Sequence, residues 1–212
     1  MLRYAITDRL RLASTEPARR EALLNQAREC AAEYVDYLQL REKDLGAQQL
    51  AELARALLQV LRRSPHTSRT RLLINSRADV AVATGADGIH LTSAESELTP
   101  DQINSMYAAA HLPQPLVSIS CHSLAEVLRA RALAPSLILF GPVFEKVVSD
   151  PATAHTTEAL ISRGTGLNLL RTICDAAAPV PVLALGGITQ ENIPDCLEAG
   201  AAGIAAIRLF AP

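Results

Sequence analysis

The sequence has little that would mark a membrane protein or a nucleic-acid-binding protein. It contains no tryptophan, aromatic residues make up 3% of its 212 residues, and 20 basic residues nearly balance 22 acidic ones. The net charge of −2 gives no long-range field that would attract nucleic acid or an anionic membrane. Charged residues interrupt the apolar runs well short of the roughly 20 residues that span a bilayer, and no signal-peptide pattern opens the chain. We therefore expect a cytoplasmic protein without nucleic-acid or membrane partners.

Cysteines are few and scattered, and no two of them form a CxxC pair. The four are Cys30, Cys121, Cys174 and Cys196. Such spacing fits neither a disulfide framework nor a zinc site. We expect four free thiols.

What the sequence does contain is a regular alternation of two patterns. Eight short β-rich segments alternate with longer stretches in which apolar residues recur at intervals of three and four, the period of a helix. The predicted strands are Arg3–Thr7, Val35–Arg41, Arg71–Ser76, Asp87–Thr92, Leu116–Cys121, Leu137–Phe144, Pro181–Gly187 and Gly203–Phe210. The predicted helices include Pro17–Ala32, Ala47–Leu61, Ser123–Leu133 and Gly166–Ala177. This order predicts an α/β fold, a parallel (β/α)8 TIM barrel, in a single domain over residues 1–212.

Two segments do not fit the alternation. Glu145–Gly166 has no apolar periodicity, and we interpret it as a long loop that acts as a lid, in which Lys146 and His155 could bring positive charge to a bound phosphate. The sequence stops at Pro212, directly after the eighth predicted strand, so the final helix of the barrel is expected to be missing. The apolar surface that such a helix would cover favours association into a homodimer.

The active site of a parallel barrel lies at the carboxyl ends of its strands. At the end of the second predicted strand, alternation places Gln39, Arg41 and Lys43 on one side. Three donors that converge on the barrel mouth suit a ligand with several negative charges. The alternative is that Arg41 and Lys43 only form surface ion pairs with Glu42 and Asp44. The position at a strand end favours the first interpretation.

Other strand ends supply further polar residues. Asn75 ends the third predicted strand, where it could bind a ligand or cap the next helix. A lone histidine such as His90, in the fourth strand, is more often a packing or hydrogen-bonding residue than a catalytic one. In the fifth strand Ser120 is the better ligand candidate, and His122 lies at the rim.

A glycine pair follows the seventh predicted strand. Gly186 and Gly187 would expose backbone N–H groups beside the eighth strand, near Ala206 and Ile207. In TIM barrels the loops after the seventh and eighth strands commonly bind phosphate with such groups. We predict a phosphate site at these four residues.

Seven motifs, in order along nearly the whole chain, make the sequence resemble the thiamine phosphate synthase/TenI family. They are Tyr4-Ala5-Ile6-Thr7-Asp8, Gln39-Leu40-Arg41-Glu42-Lys43, Leu73-Ile74-Asn75, Gly85-Ala86-Asp87-Gly88-Ile89-His90-Leu91, His122-Ser123-Leu124, Phe140-Gly141-Pro142-Val143-Phe144 and Leu185-Gly186-Gly187-Ile188. The resemblance implies that hydroxymethylpyrimidine diphosphate lies across Gln39, Arg41, Lys43 and Asn75. Arg41 and Lys43 would act catalytically on the diphosphate, and a thiazole phosphate would bind at the rim of strands seven and eight. Mg²⁺ would help the diphosphate leave, and the thiazole nitrogen would attack the pyrimidine carbocation.

The sequence also departs from the family pattern. Ser76 stands where synthases carry a magnesium-binding Asp, and Glu95 is the residue that matches their second magnesium carboxylate. A synthase Thr-x-Thr-Lys run is replaced by Lys146-Val147-Val148-Ser149, and a strand-eight Ser by Arg208. TenI, a thiazole tautomerase, carries a catalytic His where this chain has Pro142. The resemblance thus favours a synthase, with a TenI-like tautomerase or a non-catalytic phosphate-binding barrel as the alternatives.

Overall fold

The structure, a computed structural model, describes residues 1–63, 70–148 and 160–211. Eight parallel strands close into a barrel in the order β1-β10-β9-β6-β5-β4-β3-β2. Their bounds are β1 Leu2–Ile6, β2 Tyr37–Leu40, β3 Arg71–Asn75, β4 Gly88–Thr92, β5 Leu116–Cys121, β6 Leu137–Phe140, β9 Val182–Leu185 and β10 Gly203–Ala206. The prediction of a parallel α/β barrel is confirmed, and each of the eight predicted strands overlaps one of these.

Seven α-helices in the described part of the chain surround the barrel. They are α1 Glu16–Ala32, α2 Ala47–Arg63, α3 Ala78–Thr84, α4 Pro100–Ala109, α5 Leu124–Ala132, α6 Leu167–Ala177 and α7 Ile193–Glu198. Local signals set several of their ends. Thr99 and Gln102 form a capping box at α4, and the Ser123 side chain accepts a hydrogen bond from the Glu126 backbone N–H at α5. The four helices named from periodicity are all present.

Strand alternation divides the apolar core into two layers. One layer fills the barrel and includes Tyr4, Ile6, Leu73, Leu139 and Leu183. The other layer lies between the outside of the sheet and the helices. Because successive strand residues point to opposite faces, polar residues in register with the inner layer reach the barrel mouth.

Two predicted strands extend well past the point where the real ones end. The sixth ends at Phe140 rather than Phe144, and Pro142 in the excluded part has no N–H with which to continue a ladder. The eighth ends at Ala206, and a 3-10 helix follows over Arg208–Phe210. No α-helix follows β10 in the residues described, as the sequence predicted.

The segment after β6 is not simply a loop, and this part of the prediction is wrong. β7 (Lys146–Val148) and β8 (Leu160–Ser162) pair antiparallel, with Val147 opposite Ile161. His155 lies outside the described residues. Among the helices that are described, none is both long enough and apolar enough to cross a membrane.

Candidate functional site

The ends of β2 and β3 bring two of the predicted site residues into contact. Gln39 is 1% exposed, and its side-chain Nε2 donates a 2.8 Å hydrogen bond to Oδ1 of Asn75. The other amide atom of Gln39, Oε1, is buried and has no hydrogen-bond partner among the described residues. A buried acceptor without a donor is costly, and native proteins rarely leave one unless a ligand or water completes it. Gln39 and Asn75 therefore form one wall of a candidate site, in which Gln39 Oε1 still needs a hydrogen-bond donor.

Glu42 and Asp44 are occupied by a different cation, which the sequence reasoning missed. The Arg9 guanidinium contacts Glu42 Oε2 at 3.3 Å and Asp44 Oδ1 at 2.6 Å, and the Thr7 hydroxyl donates a 2.5 Å hydrogen bond to Glu42. Arg9 is 3% exposed. The sequence feature that could have identified Arg9 is its position three residues after β1, because the end of β1 lies next to the end of β2.

Arg41 and Lys43 are consequently left without carboxylate partners. Neither forms an ion pair with any residue in the described part of the chain, so the alternative of surface pairs with Glu42 and Asp44 is wrong. The Arg41 guanidinium lowers the pKa of Lys43, and partial burial adds to this effect. Two neighbouring cations that repel each other favour an anionic ligand between them.

Polar groups also lie inside the barrel. His90 is 6% exposed, and its Nδ1 is 2.8 Å from the Ser118 Oγ, which is 3.2 Å from the Tyr4 hydroxyl. Burial lowers the pKa of His90 to about 3, and the Arg41 guanidinium contributes to the shift. The ring is therefore neutral at physiological pH and lies near the Arg41 cation. His90 is hydrogen-bonded, as expected for a lone strand histidine.

The glycine pair after β9 leaves donors free at the opposite part of the rim. The backbone carbonyl of Gly186 accepts a 3.0 Å bond from Phe144, and that of Gly187 accepts a 2.9 Å bond from the Asn192 side chain. In a trans peptide the next N–H points the opposite way. Within the described residues the N–H groups of Gly186, Gly187 and Ile207 have no hydrogen-bond acceptor.

Both glycines are required by this geometry. Gly186 has φ +91° and Gly187 has φ +67°, values that favour glycine. A Cβ on Gly186 would lie 2.6 Å from Cα of Pro142, and one on Gly187 would lie 2.7 Å from the Glu145 carbonyl oxygen. Ala206, the last residue of β10, is in register with Ala5 and places Ile207 at this rim. The arrangement has the features of a backbone anion site.

The remaining predicted residues lie at neighbouring strand ends. Ser120, in β5, is half-buried opposite Thr92 of β4. His122 is exposed, and its Nδ1 hydrogen-bonds the Gly141 carbonyl. Glu95 is exposed in the loop after β4. Each is at the carboxyl-end face of the barrel, and in the described part of the chain none of them hydrogen-bonds Gln39.

The residues present do not fit a dedicated magnesium site. Mg²⁺ is usually held by one or two carboxylates with octahedral geometry. Ser76 offers only a hydroxyl, and Glu95 is the matching carboxylate. No cluster of three His, Cys, Asp or Glu side chains that could hold a metal occurs among the described residues.

Comparison with known proteins identifies the family to which the chain belongs. A curated relative from Geobacter sulfurreducens, provisionally named a thiamine-phosphate synthase, is 37% identical over 204 residues, or 96% of this chain and 84% of the relative. A protein of Methanoculleus marisnigri named "Thiamine-phosphate synthase" is 33% identical over 181 residues, or 85% of this chain and 76% of that protein.

Solved structures give the same result. The thiamine phosphate pyrophosphorylase from Pyrococcus furiosus is 28% identical, with a TM-score of 0.70 over 97% of this chain and 85% of that chain. The 3-hexulose-6-phosphate synthase from Salmonella typhimurium is 14% identical, with a TM-score of 0.59 over 99% of this chain and 90% of that chain, and shows a similar fold alone. The family described as thiamine monophosphate synthase matches residues 4–210. The chain belongs to the thiamine monophosphate synthase family.

Proposed function

We propose that the protein is a transferase that joins hydroxymethylpyrimidine diphosphate to thiazole phosphate and releases diphosphate, a step of thiamine biosynthesis. The observation that carries the proposal is that one barrel mouth has two regions whose chemistry suits an anionic ligand. In the described residues Arg41 and Lys43 form a cationic region without carboxylate partners, and Gly186, Gly187 and Ile207 form a region of backbone N–H groups without acceptors. Two phosphorylated substrates need two such regions.

Each region has a distinct role in the proposed reaction. Arg41 and Lys43 bind the diphosphate and stabilise the negative charge that develops as the bond to the pyrimidine methylene breaks. The Gly186, Gly187 and Ile207 N–H groups hold the monophosphate of the second substrate and so orient its thiazole nitrogen for attack. Gln39 and Asn75 form the polar wall beside the pyrimidine diphosphate, and Ser120 lies near the end of β5, two strands further around the barrel from Asn75.

The metal that the family resemblance implies has weak support in this chain. We propose that any Mg²⁺ here is held mainly by the substrate's diphosphate, with Glu95 as the protein carboxylate nearest in the family pattern. The charge on the departing group is then balanced by Arg41 and Lys43, residues of the chain itself.

Two alternatives have specific observations in their favour. Ser76 in place of an Asp, and Lys146-Val147-Val148-Ser149 in place of Thr-x-Thr-Lys, are departures that a TenI-like tautomerase or a non-catalytic phosphate-binding barrel would tolerate. Against the tautomerase stands Pro142, which has no acid or base group at the position where TenI has its histidine. Arg41 and Lys43 also have no role in a reaction that involves no diphosphate.

The test is to incubate the protein with both substrates and Mg²⁺ and to measure thiamine phosphate and released diphosphate. We expect equimolar formation of the two. Isomerisation of a thiazole phosphate tautomer without the pyrimidine substrate would identify a tautomerase. Binding of thiazole phosphate with no turnover of either kind would identify a phosphate-binding barrel.

A further inference from the structure

A buried chain of three hydroxyl and imidazole groups crosses the barrel interior. Tyr4 and Ser118 are both 0% exposed, and His90 is 6% exposed. The Tyr4 hydroxyl is 3.2 Å from the Ser118 Oγ, which is 2.8 Å from His90 Nδ1. The roles proposed above for the anion-binding residues do not involve Tyr4, Ser118 or His90.

Counting donors fixes the direction of the hydrogen bonds. A buried phenol must donate its proton, and in the described residues the only acceptor within reach of the Tyr4 hydroxyl is the Ser118 oxygen. The serine has one proton, so it donates that proton to its other neighbour, His90 Nδ1. The reverse direction would make His90 donate to Ser118 and Ser118 donate to Tyr4, which would leave the phenolic proton buried and unpaired.

The consequence for His90 is a single tautomer. A neutral imidazole whose Nδ1 accepts a hydrogen bond carries its proton on Nε2. Among the hydrogen bonds of the described residues, His90 takes part through Nδ1 and none involves Nε2. The ring is neutral because burial, helped by Arg41, lowers its pKa to about 3.

We infer that Tyr4 and Ser118 are positioning residues that hold His90 as its Nε2–H tautomer, so that the ring offers a neutral N–H donor to the substrate. A neutral donor near the Arg41 cation suits an uncharged acceptor, such as a ring nitrogen of a heteroaromatic substrate. The charged phosphate oxygens belong with Arg41, Lys43 and the free backbone N–H groups. The substrate contact rests on the proposed function, whereas the tautomer does not.

The tautomer is tested in the free protein by nitrogen-15 NMR of the histidine side chains, with His90→Gln to assign the signal. We expect an unprotonated Nδ1 and a protonated Nε2, unchanged across the physiological pH range. Ser118→Ala should weaken the preference and shift the Nδ1 signal, because Nδ1 loses its donor. Tyr4→Phe should keep it, since Ser118 can still donate. Ser105→Ala, which removes the same hydroxyl from an exposed position on α4, is the matched control and should change nothing.

A protonated Nδ1 in the unaltered protein would overturn the inference, and so would an unchanged His90 signal in a folded Ser118→Ala variant. If Ser118→Ala does not fold, the unaltered protein and Tyr4→Phe still decide the tautomer. In turnover, Ser118→Ala should lower kcat/KM about tenfold, the effect of one neutral hydrogen bond. Failure of the proposed function would give a different result. The unaltered protein would then form no thiamine phosphate, while the His90 signal would stay as expected.

Discussion

At the residue scale, the site depends on which cations have carboxylate partners. Arg9 contacts Glu42, Asp44 and Glu16, whereas Arg41 and Lys43 contact no carboxylate in the described residues. Alternation along the second strand predicts that Gln39, Arg41 and Lys43 share a side. It could not show which basic residue pairs with Glu42, because that pairing joins two different strand ends that are 33 positions apart.

The first prediction concerns Arg41. If it binds the diphosphate, Arg41→Ala should weaken binding of hydroxymethylpyrimidine diphosphate by about 1.5–3 kcal/mol, the range for hydrogen bonds to charged groups. Isothermal titration calorimetry measures this. Arg28→Ala, at an exposed position on α1, is the matched control and should bind as the unaltered protein does. Equal affinity for all three proteins would exclude Arg41 from the site.

The second prediction concerns Arg9 and the pH dependence of stability. Burial raises the pKa of Glu42 despite the opposing effects of Thr7 and Arg9. When the pKa of an acid is higher in the folded than in the unfolded protein, the unfolded state releases the proton more readily. The unfolding free energy therefore falls as the pH rises through the range between the two pKa values. Removing Arg9 raises this pKa further. It also removes the interaction by which Arg9 lowers the pKa of Asp44, whose contribution to stability is present only above its unfolded pKa.

The changes in the pKa values of Glu42 and Asp44 both make the variant lose more stability as the pH rises. The loss of unfolding free energy in Arg9→Ala should therefore be small near pH 3 and grow to about 3 kcal/mol at pH 7, the usual cost of leaving a buried charge unpaired. Urea unfolding at a series of pH values measures it. Adding Glu42→Gln to Arg9→Ala should recover much of the loss at pH 7. A loss that is the same at both pH values would contradict the prediction.

At the scale of elements, the barrel strands were predictable from the sequence, and the antiparallel pair β7–β8 was not. Each barrel strand is a short apolar run next to a helical pattern, and both local signals agree. β7 and β8 have three residues each, and their partners are separated by residues 149–159. Three residues are too few to show a strand period, so the hairpin could not be distinguished from a loop.

The third prediction tests the glycine rim as an element. Gly187→Ala adds a Cβ at φ +67°, 2.7 Å from the Glu145 carbonyl oxygen. Gly85, at the end of α3, has nearly the same φ of +62°, but its nearest contact is a leucine methyl at 3.7 Å. Gly85→Ala should therefore show the backbone strain alone, about 1 kcal/mol or somewhat more. Gly187→Ala should lose more stability.

The two variants should also differ in binding. Calorimetry should show that Gly187→Ala loses affinity for thiazole phosphate, because the free N–H groups move, and that Gly85→Ala keeps it. If Gly187→Ala is folded and binds thiazole phosphate unchanged, the phosphate is held elsewhere.

At the scale of the whole molecule, the question is how the barrel is completed beside β1 and β10. The sequence predicted a homodimer through this face. In the structure Phe210 is 8% exposed, its carbonyl accepts a 2.9 Å hydrogen bond from Gln26 of α1, and the Arg3 guanidinium lies 5.3 Å from its ring centroid. The 3-10 helix thus covers part of the surface that the prediction assigned to a second copy.

The last prediction separates the two ways of covering this face. Phe210→Ala should lower the unfolding free energy by about 3 kcal/mol, the cost of removing a buried aromatic ring, with Leu209→Ala, which is only half-buried, as the milder control. If the face is covered within one chain, the loss should not depend on protein concentration. If a second copy covers it, light scattering should give twice the mass of one chain, and Tm should rise with concentration because dissociation accompanies unfolding. A dimer whose mass is unchanged by Phe210→Ala would mean that the copies associate through another surface.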